Sequence, residues 1–169
     1  MEISGQGVTR GVITRRADEQ DMPDLLRIEE ACFGADKFGP ETIWAFVVRN
    51  DAFTVIAEDD GRIIGSAMCL VSEPSEEGRI ASVAVLKEGR GKGIGSKLMD
   101  ECEKIFRTYD LKKYTLEVED TNVPALALYK SHGFEIVGMM TDFYGYGRDA
   151  YAMEKIASRV GRQLRVRAL

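Results

Sequence analysis

The stretch that decides the fold runs from Val83-Ala84-Val85 into Arg90-Gly91-Lys92-Gly93-Ile94-Gly95-Ser96. A short β-rich run enters a glycine-rich turn, and the turn opens a segment whose apolar residues recur at helical spacing. Glycines let the backbone approach a ligand closely, and the N–H groups of a first helical turn favour an anion such as phosphate. The spacing matches neither the G-x-G-x-x-G dinucleotide pattern nor the P-loop. The turn therefore predicts either a phosphate site of another kind or a plain helix start without a ligand.

On either side of this turn the chain alternates predicted strands and helices. Asp59-Asp60-Gly61 between two apolar runs predicts a β-hairpin, and Asp21 ahead of Pro23 predicts a capped helix start. The predicted strands are Val12–Arg16, Phe53–Glu58, Arg62–Val71, Arg79–Leu86, Tyr114–Val118, Phe134–Thr141 and Tyr151–Lys155; the predicted helices are one from Asp21 to the Phe33–Gly39 loop, Pro40–Arg49, Ile94–Tyr109 and Val123–His132. This order indicates an α/β domain with a mixed sheet rather than a doubly wound one.

The composition excludes several classes of protein. A chain of 169 residues with 44% apolar and 30% charged residues is typical of one globular domain. Its apolar runs fall far short of the ~18 residues that span a bilayer, and its first residues do not resemble a secretory signal. Three cysteines and a single histidine, His132, suit neither a disulfide framework nor a zinc site, so we expect a reducing cytoplasmic setting and no metal.

The charge pattern suggests how the chain is divided. The net charge of −5 disfavours nucleic acid as a direct partner. Residues 155–169 nevertheless hold five basic residues and no acidic one, which is typical of a basic amphipathic helix or a solvated tail. We expect a loose leader over residues 1–11, one domain over 12–155 and a basic tail over 156–169.

A second segment gives the glycine-rich turn a more specific meaning. Arg90-x-x-Gly93-x-Gly95 is followed about thirty residues later by Ala125-x-x-Leu128-Tyr129-x-x-x-Gly133-Phe134. Together the two signatures resemble those of the GNAT acyltransferase superfamily, and the resemblance covers roughly residues 12–155. Three further stretches are most similar to protein N-terminal acetyltransferases of the RimI and archaeal Ard1 kind: Leu116-Glu117-Val118 with Asn122, residues 142–153, and Ile28-Glu29-Glu30 ahead of the Phe33–Pro40 loop. That loop lacks the Phe-Pro or Pro-Trp element usual in RimI-type enzymes.

The resemblance implies a GNAT fold, in which a splayed pair of strands in a mixed sheet holds acetyl-CoA. The turn would bind the pyrophosphate through its N–H groups, the Val83–Val85 strand would pair with the pantetheine arm, and an N–H near Val85 would polarise the acetyl carbonyl. The residues expected to contact the cofactor are Val83, Ala84, Val85, Arg90, Gly91, Lys92, Gly93, Ile94, Gly95, Ser96, Asn122 and Tyr129. Asn122 has a second interpretation as the cap of the helix that follows it.

Acetyl transfer to an amine needs a base for the amine and an acid for the departing thiolate. The resemblance places Glu117 as the base and Tyr129 as the acid, with Glu29 or Glu30 in reserve. On residue pattern alone, Glu117 is a solvent-facing glutamate on an alternating strand, and Tyr129 packs its ring on the sheet. His132 is expected at the surface end of a helix, and the cysteines are expected to fill the core.

The acceptor side is predicted from aromatic residues in two loops. Tyr144 and Tyr146 are expected on one wall of a peptide groove, and Phe33, Asp36 and Phe38 on the other, although the aromatic residues could equally plug the core. The sequence thus predicts an N-acetyltransferase that acts on the α-amino group of protein N-termini by direct attack in a ternary complex. The alternatives are acetylation of a small amine or a lysine side chain, and a CoA-binding module without turnover. We expect no membrane partner and a monomer or weak homodimer.

Overall fold

The computed structural model describes residues 11–158, which form one seven-stranded sheet with helices on both faces. The strands are β1 Ile13–Arg16, β2 Ala52–Asp59, β3 Arg62–Ser72, β4 Glu77–Val85, β5 Lys113–Glu119, β6 Glu135–Met140 and β7 Ala150–Ile156; the α-helices are α1 Met22–Phe33, α2 Pro40–Val48, α3 Ile94–Phe106 and α4 Val123–Ser131. The strand order is β1-β2-β3-β4-β5-β7-β6, and β4–β5 is the parallel pair among antiparallel neighbours. The predicted α/β fold with a mixed sheet is confirmed.

Each face of the sheet has its own apolar core. One core lies beneath α3 and α4 and includes Leu98, Cys102, Phe106 and Met153. The other lies beneath α1 and α2 and includes Leu25, Ile28, Ile43 and Met68. Because successive strand residues point to opposite faces, β5 directs Tyr114, Leu116 and Val118 into the α3 core and leaves its glutamates to the α1 face.

The parallel strands β4 and β5 separate halfway along their length. Residues Glu77–Ile80 of β4 pair with residues Lys113–Leu116 of β5. Beyond these residues β4 continues unpaired with β5 to Val85, and β5 continues to Glu119. A register shift between β3 and β4 leaves Ala81 as an extra residue on β4, and such a bulge bends the strand and increases its local twist. The predicted splayed strand pair is thereby confirmed, and it opens a cleft toward the carboxyl ends of both strands.

Local signals in the sequence account for several turns and ends. Asp60 and Gly61 both have positive φ, +49° and +80°, as a two-residue type I′ hairpin requires, so the predicted hairpin is confirmed. Asp21 is the N-cap residue of α1, as predicted, but its side chain makes no cap hydrogen bond, because its carboxylate binds the Arg15 guanidinium and the Asp18 N–H instead. The Arg15 hydrogen bonds are the main reason that the pKa of Asp21 is lowered.

The predicted leader and tail fall mostly outside the described residues, which exclude 1–10 and 159–169. Of the five basic residues counted over 155–169, Lys155 is described, and it lies within β7. Among residues 11–158, none of the helices has the length and apolar character needed to cross a membrane. The division into leader, domain and tail stays a prediction.

Candidate functional site

A cavity of about 330 Å³ occupies the cleft between the splayed strands. It is bounded by β4, β5, the end of α1 with the turn after it, α4, and the β6–β7 loop over residues 141–149. Eight of the predicted site residues line it: Phe33, Asp36, Phe38, Val83, Glu117, Asn122, Tyr129 and Tyr144. The cavity thus brings the acceptor-side residues other than Tyr146 together with three of the predicted cofactor residues, Val83, Asn122 and Tyr129, whereas Ala84, Val85 and residues 90–96 do not line it.

A larger and more open groove, of about 700 Å³, lies elsewhere on the surface. It is lined by residues 49–51, the 70–75 stretch, Glu77, Arg79 and Tyr109, and none of the predicted site residues contributes to it. Size alone would select this groove as the functional site. The smaller cleft has the convergent polar groups that binding and catalysis need, and we take it as the candidate active site.

The glycine-rich turn follows the free end of β4 after one 3₁₀ turn, Lys87–Gly89. Gly91 and Gly93 have φ values of +74° and +75°, which residues with a Cβ adopt only at a cost. Gly93 is the N-cap of α3 and has no side chain to bind the first helical N–H groups, and the space above both glycines is open. The Arg90 Nε donates to the Val85 carbonyl at 3.0 Å and ties the turn to the strand end. The N–H groups of this helix start are therefore available to an anion.

Glu117 lies on β5 at the edge of the cleft, and its carboxylate is held on one side. The Arg79 guanidinium donates from Nε and Nη2 to the Oε2 atom of Glu117 at 3.0 and 2.9 Å. The Tyr144 hydroxyl donates to the Glu117 backbone carbonyl at 3.3 Å, which ties the β6–β7 loop to β5. The Oε1 atom does not take part in the contact with Arg79, so it is the carboxylate oxygen left for a ligand.

Tyr129 and Asn122 are fixed by α4. Tyr129 is buried against Phe134 with an edge-on ring contact, and burial is the main cause that raises the pKa of its phenol well above the ordinary value. The phenol is protonated at neutral pH, as a tyrosine of ordinary pKa also is. The Asn122 side chain accepts from the Ala125 N–H at 3.2 Å, so its predicted role as a helix cap is confirmed.

Glu29 is a buried carboxylate that was predicted only as a reserve base. It is 2% exposed, lines the cavity, and accepts the Phe38 N–H on Oε1 at 2.9 Å. Its Oε2 atom has no hydrogen-bond partner among residues 11–158. Burial is the main cause that raises the pKa of Glu29. The other reserve residue, Glu30, is exposed, does not line the cavity and pairs with Lys37.

Four of the five residues predicted to bind the acceptor line the same cavity. Phe33, Asp36 and Phe38 line it from the α1–α2 segment, and Tyr144 lines it from the β6–β7 loop. Tyr146 is 99% exposed and does not line it. Sequence reasoning missed Arg148, which binds both Asp36 and Glu119 at the cavity mouth.

Two expectations about single residues are corrected by the packing. The His132 side chain is 10% exposed rather than at the surface, because the end of α4 packs on α3, where the ring Nε2 lies 2.9 Å from the Ser96 Oγ. Cys32 is only partly buried and lines the cavity, with its Sγ 3.5 Å from the Val85 carbonyl, whereas Cys69 and Cys102 fill the core as expected. Within residues 11–158 there is no cluster of three or more His, Cys, Asp or Glu side chains able to hold a metal ion.

Known proteins resemble this chain in sequence and in structure. Residues 21–134 match the family described as Acetyltransferase (GNAT) family. An N-alpha-acetyltransferase of Sulfolobus acidocaldarius is 34% identical over 156 residues, which cover 82% of this chain and 89% of that protein.

Solved structures share the fold at lower identity. The ribosomal-protein-S18-alanine N-acetyltransferase of Escherichia coli has a TM-score of 0.79 and 20% identity, covering 90% of this chain and 98% of that one. Arabidopsis thaliana Naa50, solved in complex with the bisubstrate analogue CoA-Ac-MVNAL, has a TM-score of 0.76 and 23% identity, covering 86% and 98%. Both likenesses extend over nearly the whole length of the neighbour.

Proposed function

The chain belongs to the acetyltransferase (GNAT) family, and we propose that it transfers acetyl from acetyl-CoA to the α-amino group of protein N-termini. The resemblance read from short signatures is confirmed in sequence by the N-alpha-acetyltransferase of Sulfolobus acidocaldarius, and the E. coli neighbour shares the fold. The observation that supports the proposal best is the single cavity that joins the splayed strands to both the α1–α2 segment and the β6–β7 loop. Such a cavity suits direct attack in a ternary complex, because amine and thioester can meet inside it.

The residues on the β4 side suit acetyl-CoA. The open helix start at Gly93 offers N–H groups to a pyrophosphate, and the part of β4 beyond Ile80 offers an unpaired edge toward β5. The Ser82 hydroxyl, on that stretch of β4, is buried, lines the cavity and has no hydrogen-bond partner within the described part of the chain. An orphaned buried hydroxyl beside an unpaired strand edge favours a polar ligand there. Acetyl-CoA would supply the activated thioester, and an N–H near Val85 would donate to its carbonyl.

Glu117 is the proposed general base. An acceptor amine is protonated in water and must lose a proton before it can attack. The Oε1 atom of Glu117 would accept that proton, directly or through water, while Arg79 fixes the carboxylate through Oε2. Glu29 is the reserve base, because its Oε2 atom is unpartnered within residues 11–158 and belongs to the same cavity.

Tyr129 is the proposed general acid. A departing thiolate benefits from a proton, and the Tyr129 phenol carries one at neutral pH, as a tyrosine of ordinary pKa does. Its fixed ring, packed against Phe134, would keep the hydroxyl in one orientation. The proton lost by the amine and the proton gained by sulfur are then handled by different residues on different walls of the cavity.

A thiol-release assay with acetyl-CoA tests the acceptor. The panel contains peptides with a free α-amine, the same peptides with a blocked α-amine and a free lysine, and polyamines. We expect turnover on peptides only when the α-amine is free. Turnover on blocked lysine peptides or polyamines alone would move the function to side-chain or small-amine acetylation. Heat protection by acetyl-CoA without turnover would indicate a binding module.

A further inference from the structure

Arg148 joins three segments at the mouth of the cavity. Its Nε and Nη2 donate to both carboxylate oxygens of Glu119 at 2.9 Å each, and its Nη1 and Nη2 donate to both oxygens of Asp36 at 3.1 and 2.9 Å. We call these three residues the clasp. Glu119 ends β5, Asp36 lies in the turn after α1, and Arg148 lies in the β6–β7 loop, so the clasp connects the two walls predicted to hold the acceptor.

The loop that carries Arg148 is organised by its own hydrogen bonds. The Asp142 carboxylate accepts the Gly147 N–H, and the Asp149 carboxylate accepts the Asp142 N–H at 2.9 Å. The Arg148 Nη1 also donates to the Tyr144 carbonyl, and the guanidinium lies 5.7 Å from the centre of the Tyr144 ring. Arg148 is therefore presented to the other wall by a preformed loop rather than by a free surface side chain.

We propose that Arg148 is a positioning residue, which sets the width of the cavity mouth for an extended polypeptide and thereby acts on the acceptor residues after the first. The inference rests on the proposed function, because it needs an acceptor whose chain leaves the cavity through this mouth. Binding of a peptide that passes between Asp36 and Tyr144 would depend on the distance between the two walls. A single amino acid amide would end inside the cavity, so its binding would not depend on that distance.

The energetics of the clasp favour positioning over stability. Bidentate Arg–carboxylate contacts fix geometry more strictly than single ion pairs do. Exposed ion pairs add little to stability, because water and salt screen them. Asp36 and Glu119 are carboxylates that are charged at neutral pH at their ordinary pKa, and the Arg148 hydrogen bonds lower the pKa of each further. Loss of the Arg148 guanidinium should therefore change the distance between the α1–α2 segment and the β6–β7 loop, while the Tm stays nearly the same.

The test compares acceptor lengths in Arg148→Gln and Arg148→Lys. The acceptors are the best N-terminal amino acid of the panel as its amide alone, and the same residue at the start of a hexapeptide. For Arg148→Gln we expect KM for the hexapeptide to rise about tenfold, which corresponds to about 1.4 kcal/mol of binding. The kcat, the KM for acetyl-CoA and the kcat/KM of the amide should stay within about twofold of wild type. Arg148→Lys keeps the charge without the bidentate geometry and should fall in between.

Arg27→Gln is the matched control. Arg27 pairs with Asp24 on α1, away from the cavity, and the two side chains are 39% and 42% exposed, against 38% and 46% for Arg148 and Asp36. It should leave all of these constants unchanged. An equal loss on amide and hexapeptide, or no loss on either while wild type acetylates the hexapeptide, overturns the clasp inference and leaves the proposed function standing. A wild-type enzyme that acetylates no α-amine overturns both.

Discussion

The two sides of the cavity are built in opposite ways. The side proposed to hold acetyl-CoA is residues 80–83 of β4, from which the chain continues into the glycine turn and α3, and it would act mainly through backbone N–H groups. The acceptor side is assembled from side chains of distant segments, and the clasp pair Asp36 and Arg148 is separated by 112 residues. A backbone-built site leaves its mark in local sequence, because glycines and a helix start must occur in order. A side-chain-built site leaves none until the chain has folded.

The largest expected effect comes from a residue between these two sides. Glu117→Gln keeps the shape of the side chain and removes its ability to accept a proton, so kcat should fall about 10²–10⁴-fold. Steady-state kinetics with the best peptide measures it. Glu154→Gln is the control, since Glu154 is also a strand carboxylate paired with a cation, Lys113, and lies outside the cavity. If Glu117→Gln keeps the wild-type kcat and Glu29→Gln has a strongly reduced kcat, then Glu29 rather than Glu117 is the general base.

A smaller loss is expected when the acid is removed. Tyr129→Phe keeps the ring contact with Phe134 and deletes the hydroxyl, so kcat should fall about 10²-fold, with KM for both substrates little changed. Tyr114→Phe provides the comparison, because Tyr114 is another buried tyrosine, on β5 beneath α3. Solvent can partly replace a lost acid for a thiolate, which is why this effect is ranked below that of Glu117. Equal kcat values for the two phenylalanine variants would contradict the assignment.

A substitution of glycine by alanine tests the side of the cavity proposed to bind acetyl-CoA through backbone N–H groups. Gly93→Ala places a Cβ on a residue at φ +75°, which costs about 1–2 kcal/mol and is relieved when the turn shifts. The N–H groups then lose their alignment, and KM for acetyl-CoA should rise about tenfold while KM for the peptide does not change. Gly39→Ala is a matched change at φ −72° in equally open space, before α2. A normal KM for acetyl-CoA in Gly93→Ala would separate the turn from cofactor binding.

The same contrast explains which parts of the molecule could be predicted from the sequence. Strands, helices and the Asp60-Gly61 hairpin follow from periodicity and turn chemistry, and their ends shift by a few residues, as when α3 ends at Phe106 rather than Tyr109. The hydrogen bond of Thr108 N–H to the Ile105 carbonyl shows the α-helical pattern tightening into a turn at that point. Such terminal turns depend on competing bonds that the apolar pattern does not record.

Long-range contacts were not predictable in this way. Arg148 lies in a loop rich in glycine and aromatic residues, and no sequence pattern indicates that its side chain binds Asp36 and Glu119. The ion pairs are visible only in the folded chain. His132 was predicted at the surface because the sequence of neither α3 nor α4 indicates that the two helices make contact. A signal for Glu29 was present: it shares the buried phase of Leu25 and Ile28 on α1, and a carboxylate on an apolar helix face is unusual.

Glu29 therefore offers the smallest and most specific prediction, in the pH dependence of stability. Because burial raises the pKa of Glu29 above the ordinary 4.5, the folded state binds its proton more tightly than the unfolded state does. Stability from this group is present below the unfolded pKa and is lost as pH rises through the folded pKa. Glu29→Gln cannot ionise, so its Tm relative to wild type should increase from pH 4 to pH 8.

Glu30→Gln, the next residue on the same helix, separates this effect from a general change in charge. Glu30 is exposed and paired with Lys37, so the Tm of Glu30→Gln relative to wild type should show no such rise. Thermal unfolding of the three proteins in one buffer series decides the point. A constant Tm difference between Glu29→Gln and wild type across the series would mean that the buried carboxylate is compensated in the fold. Its pKa would then be the same in the folded and the unfolded chain, and the hydrogen bond from the Phe38 N–H would be the contact that offsets its burial.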